Sequence, residues 1–90
     1  MARLGMDVDA VEGIGKQLQS LGEQISNLES QINGKVQQLP GIWDGKDAQT
    51  FVTQWWPQHQ KALKSAAEAV KGLGHAAFNN ASEQRGVSNH

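Results

Sequence analysis

The sequence predicts an all-α fold: an antiparallel two-helix hairpin with a Trp-x-Gly turn, dimerising into a four-helix bundle. Three observations predict it. Two long segments carry apolar residues at helical spacing. A single interruption, at Pro40 to Gly45, separates them near the middle of the 90-residue chain. The second segment also bears more apolar width than one partner helix can cover, and small lone scaffolds rarely stabilise themselves without a metal, disulfides or oligomerisation. The chain is read as one domain, residues 1–90.

The first helix is predicted over about 8–39. Val11, Ile14, Leu18, Leu21, Ile25, Leu28 and Ile32 follow a 3-4-3-4-3-4 spacing, a heptad stripe suited to left-handed packing against a neighbour. Val36 and Leu39 extend it after a four-residue step, so the stripe drifts near its end. Asp7 or Asp9 can cap the start, and Pro40 with Gly41 stops the helix. Gly13, Gly15, Gly22 and Gly34 argue against this segment, at roughly 1 kcal/mol each. Gly15 and Gly22 lie one heptad apart beside the stripe. They either admit a neighbouring helix closely or mark a helix that depends on tertiary contacts.

Residues 40–45 form the predicted turn, centred on Trp43-Asp44-Gly45, and the second helix follows over about 45–80. Asp44 is its predicted N-cap, with Asp47 three residues on. Its stripe comprises Ala48, Phe51 or Val52, Trp55, His59, Ala62 or Leu63, Ala66, Ala69 or Val70, and Leu73. Pro57 removes an amide donor and its ring crowds the carbonyl of Thr53, so a kink is predicted there; the alternative is one helix ending at Trp56 and another starting with Pro57. Gly74 and the polar run from Asn79 to His90 predict fraying after Phe78 and a disordered tail over 81–90.

Composition argues against several functions. Eight basic and nine acidic side chains give a net charge of -1. The bases are scattered, so the electrostatic footprint of a nucleic-acid binder is missing. The chain has no cysteine, which excludes disulfides and thiolate metal sites. His59 and His75 are too far apart along one helix to share a metal, and no cofactor or metal is expected. Asp44 and Asp47 are explained as capping groups, and a two-helix hairpin offers no concave pocket for a general acid and base, so no enzyme activity is expected. Met1 to Asp9 contains no apolar run, and the sequence predicts neither a secretory signal peptide nor a membrane anchor. Membrane binding by the Ala-rich second helix is not expected, because packing should occupy its apolar face.

Trp43-Asp44-Gly45-Lys46-Asp47-Ala48-Gln49-Thr50-Phe51 through Trp55, with Asn80-Ala81-Ser82-Glu83-Gln84 near the end, resembles the WXG100 (ESAT-6-like) family over nearly the whole chain. The resemblance implies hairpins that pair as homodimers or heterodimers with another such protein. It also implies export without a cleaved signal peptide by a type VII secretion system, hence a cytoplasmic stage and then an extracellular one. Expected partners include the secretion ATPase or a larger effector. Trp43 and Gly45 carry over as the family's recognition turn. The family's tail signal, a Tyr followed four residues later by Asp or Glu, does not carry over: the chain has no Tyr, and Phe78 is followed at that distance by Ser82, with Glu83 one position too far. A partner supplying the missing half, or an intracellular adaptor that escorts a larger effector, would each accommodate the departure.

Overall fold

The computed structural model describes residues 7–88 and shows an antiparallel hairpin of two long helices, 68 × 17 × 16 Å. Helix α1 spans Val8–Val36. Asp7 caps it, its Oδ1 accepting from the Ala10 amide at 3.1 Å, while Asp9 in the first turn and Lys35 in the last suit the helix dipole. The α-helix stops three residues before the predicted end at Leu39. The chain tightens ahead of Pro40, which disfavours α geometry in the residue before it, into a 3-10 turn over Leu39–Gly41. The Leu39 carbonyl then accepts the amides of Ile42 and Trp43 at 3.0 and 2.8 Å.

The return path starts differently from the expectation. Gly45, at φ 107° and ψ -176°, occupies the N-cap position that the sequence assigned to Asp44, and no side chain caps the helix. Helix α2 covers Lys46–Thr50, a π-helical turn covers Phe51–Trp55, and α3 runs Trp56–Ser88. In the π turn the Trp56 amide reaches back five residues to the Phe51 carbonyl. Pro57 explains its position: the proline has no amide to donate and its ring excludes the Thr53 carbonyl, and a wider turn immediately upstream absorbs the mismatch while the chain stays helical. Thr53 contributes locally by donating its hydroxyl to the Gln49 carbonyl at 2.6 Å.

At the other end α3 continues to Ser88, where the sequence predicted fraying after Phe78 and disorder from residue 81. Ala81 is fully buried, and Arg85 donates to Asp9 and Glu12 at 2.6 and 2.9 Å. These contacts hold the last described turns against the start of α1. Residues 89–90 of the predicted tail lie outside the described residues.

Gly15, Gly22, Glu29 and Val36 are the buried residues of α1, one heptad apart; Trp56, Ala67, Gly74 and Ala81 face them from α3. The small residues set the helix spacing. A methyl group at Gly15 would lie 2.8 Å from the Gly74 carbonyl oxygen, and one at Gly22 would lie 2.9 Å from that of Ala67. Close approach of a neighbouring helix is therefore the role of Gly15 and Gly22. Towards the turn the seam turns polar: Trp56 donates its indole N–H to Asn33 at 2.9 Å, and Gln60 donates to the buried Glu29 carboxylate at 2.8 Å.

Candidate interaction surface

Apart from Val36 and Trp56 near the turn, a seam of glycine and alanine leaves the large apolar residues elsewhere. Residues Ile14, Leu21 and Leu28 each precede a seam residue by one, which places them about 100° around α1. Ala66 and Leu73 stand in the same relation to Ala67 and Gly74 on α3. Because the helices are antiparallel, the same sense of rotation on each leads to the same side of the hairpin. That side carries Ile14 (55% exposed), Leu21 (48%), Leu28 (53%) and Ile32 from α1, with Trp55 (52%), Ala62, Ala66 and Leu73 (62%) from α3.

The charged groups gather on the opposite side. Arg85 bridges Asp9 and Glu12 there, and Lys71 lies 3.3 Å from Glu68 and 3.5 Å from Glu23. The hydrogen bond that the Lys71 ammonium donates to Glu68, with Glu23 beside it, raises the Lys71 pKa above its ordinary value. The Asp9 and Glu12 carboxylates do the same for the Arg85 guanidinium. Lys16 extends over the Phe78 ring at 5.7 Å, and these two line a shallow groove of about 300 Å³ with Gln19, His75 and Asn79. The hairpin is thus two-faced, one side apolar and the other laced with ion pairs.

The residues predicted as one interface or core set divide into three groups. Val11, Leu18 and Ile25 on α1, and Leu63 and Val70 on α3, are half-buried along the edge of the seam. Ile14, Leu21, Leu28, Ile32, Trp55, His59, Ala66 and Leu73 are exposed. Ala48 is buried, and Phe51 and Val52 are half-buried near the turn. Trp43 keeps 38% of its surface exposed and packs edge-on against Phe51, with ring centroids 6.0 Å apart; Phe51 meets Trp55 in the same way at 5.8 Å. Gly45 is exposed at the turn, and Ile42 projects from it at 82% exposure. The predicted interface set omitted Glu29, Trp56, Ala67, Gly74 and Ala81; the heptad Gly15, Gly22, Glu29, Val36 was the available signal.

Among the described residues no group of three or more His, Asp or Glu side chains is placed to hold a metal ion, and no helix is long and apolar enough to cross a membrane. No protein-family model, curated protein or solved structure matches the chain. An extended hairpin with many exposed hydrophobic residues is consistent with a protein that acts by binding a partner.

Proposed function

We propose that this chain is a small non-enzymatic protein of the WXG100 type, exported by a type VII secretion system or co-secreted with a partner, and that it works by pairing its apolar face in a four-helix bundle. The observation that carries the reading is that face: Ile14, Leu21, Leu28, Ile32, Trp55 and Leu73 lie exposed on one side of the rod, opposite a side occupied by ion pairs. An isolated hairpin leaves this surface in water, and a second hairpin removes it at about 25 cal/mol per Å². The partly exposed Trp43 beside Gly45 supports the turn as a recognition element, because a Trp serving only as a plug would be buried.

The protein is proposed to be made in the cytoplasm and to appear outside the cell. The test is export in the native host with and without the type VII apparatus. Loss of the extracellular protein on deletion is expected; an unchanged extracellular level would refute the secretion reading. A second reading, an intracellular adaptor escorting a larger effector, is favoured by the lack of any Tyr and by the placement of Phe78 against Gly15 and under Lys16. Co-purification from the native host separates the two, since the adaptor would be recovered with its effector inside the cell and never alone outside.

A further inference from the structure

The geometry points to Asp44-Gly45 as a site of spontaneous covalent modification, at which the aspartate isomerises to a β-linked isoaspartate through a cyclic imide; the inference is independent of what the protein binds. An Asp or Asn side chain reaches the amide nitrogen of the next residue through a five-membered ring. Glycine obstructs that closure least, having no side chain and the widest choice of backbone angles. The chain offers such a pair twice, at Asn33-Gly34 and at Asp44-Gly45. The fold treats the two oppositely.

Asn33-Gly34 is locked. Gly34 lies within α1, so its amide is committed to the helix and ring closure requires the last turns to open. The Asn33 side chain is held as well, its Oδ1 accepting from Trp56 Nε1 at 2.9 Å and from Gln37 Nε2 at 3.3 Å. None of these restraints acts on Asp44-Gly45. Asp44 lies between the 3-10 turn and α2, in no regular element, and every residue from Ile42 to Asp47 is exposed. Because Gly45 takes the N-cap position and no side chain caps α2, the Asp44 carboxyl group is left over. Among the described residues it makes neither a hydrogen bond nor an ion pair. The Gly45 amide likewise donates to no backbone acceptor among the described residues. Nothing lies within 4 Å of where a Cβ would stand on Gly45, so the ring has room to close.

The reaction balances with water alone. The Gly45 nitrogen attacks Cγ of Asp44 in its carboxylic form; the N–C bond forms, the C–O bond to the hydroxyl breaks, and the amide proton leaves with that hydroxyl as water. Water then adds to either imide carbonyl. Opening at one restores aspartate. Opening at the other routes the main chain through Cβ and Cγ and frees the former main-chain carbonyl as a carboxylate. Mass and net charge are unchanged, but the main chain between Trp43 and Gly45 gains a methylene group. The change falls where Gly45 holds φ 107° and Trp43 packs against Phe51 at 6.0 Å, so the modified turn presents its aromatic surface differently.

The experiment incubates the full chain in mildly acidic buffer, folded and in urea. Isoaspartate is read by methyl transfer from S-adenosylmethionine with a protein isoaspartate methyltransferase and placed by peptide fragmentation. In the folded chain isoaspartate should accumulate at residue 44. Unfolding should speed modification of Asn33 at least about tenfold, the factor that an opening free energy of about 1.4 kcal/mol imposes, and leave the rate at Asp44 nearly unchanged. Asp44→Glu, whose imide needs a six-membered ring, should abolish methyl acceptance at this position. Asp44→Asn should form the same imide faster at neutral pH, because ammonia leaves in place of water. Both variants keep the fold, since the Asp44 side chain holds no other residue. An unmodified Asp44 in the folded chain, a rate there that rises on unfolding as steeply as that of Asn33, or an Asp44→Asn chain that retains its amide would overturn the inference.

Discussion

Trp56 donates its indole N–H to Asn33 Oδ1 at 2.9 Å, joining the first turn of α3 to the last turn of α1 where the hairpin closes. Trp56 is 6% exposed, so its donor has little access to water. Asn33 is held in place from its own helix by Gln37, which donates to the same oxygen at 3.3 Å. Replacing Asn33 by Leu strands a buried donor and should cost about 1–3 kcal/mol, whereas Trp56→Phe in the Asn33→Leu background should recover part of that loss. Chemical denaturation of the two single variants and the double variant measures the coupling. Equal stability of Asn33→Leu and the parent would show that the bond contributes nothing.

The glycines of α1 fall into two groups with opposite predicted effects. At Gly22 an added methyl lies 2.9 Å from the Ala67 carbonyl oxygen, and at Gly15 it lies 2.8 Å from that of Gly74, so the helices must separate to admit it. At Gly13 and Gly34 nothing lies within 4 Å. Gly15→Ala and Gly22→Ala should therefore destabilise by about 1–3 kcal/mol, in the range of core overpacking. Gly13→Ala and Gly34→Ala should stabilise by about 0.5–1 kcal/mol through helix propensity alone. Thermal melts of the four single variants check the division, and a common sign across all four would refute it.

These contrasts show what the sequence could convey. The hairpin of two long helices was legible because period and punctuation are local properties. The identity of the seam was not. Heptad spacing placed Val11, Ile14, Leu18 and Leu21 on one stripe, but a stripe does not say which neighbour covers it. The intramolecular seam went to Gly15, Gly22, Ala67 and Gly74, since closer backbones and the buried polar pairs near the turn fixed the rotation of each helix. That rotation carries Ile14 and Leu21 round to the open face. The π turn was equally hidden: Pro57 signalled a defect, but whether the chain kinks, breaks or widens depends on the phase needed to bury Trp56 downstream and Ala48 upstream.

Gly45 provides a test of backbone conformation free of packing. Its φ of 107° with ψ of -176° belongs to a region essentially restricted to glycine, yet nothing lies within 4 Å of where a Cβ would stand. Gly45→Ala should cost about 1–3 kcal/mol from strain alone. A semisynthetic chain with D-alanine at the position should keep the parent stability, because the mirror-image residue adopts that conformation readily. Similar losses for both alanines in denaturant titrations would mean that hidden contacts, and not φ, make glycine necessary. Trp43 sits two residues away, so the D-alanine form also offers a way to vary the turn surface without unfolding it.

Glu29 is the one buried charged residue identified among the described residues, at 7% exposure, and it accepts from Gln60 Nε2 at 2.8 Å across the seam. The pair lies between the glycine-alanine half of the seam and the Asn33–Trp56 bond. A buried carboxylate loses water on folding and recovers only what its partner supplies, so the pair is asymmetric to mutation. Gln60→Leu removes the donor and leaves the carboxylate among apolar atoms, which should destabilise by about 1–3 kcal/mol. Glu29→Leu with Gln60→Leu removes both polar groups at similar volume and should be close to neutral or stabilising. If instead the double variant is less stable than Gln60→Leu, the polar pair contributes more than its desolvation cost. The same double variant also tests specificity. With the polar layer gone the seam becomes apolar from Ile25 to Leu63, and the helices lose the bond that fixes Glu29 level with Gln60. Amide hydrogen exchange across α1 and α3 should then show weakened protection towards the turn even where global stability is unchanged.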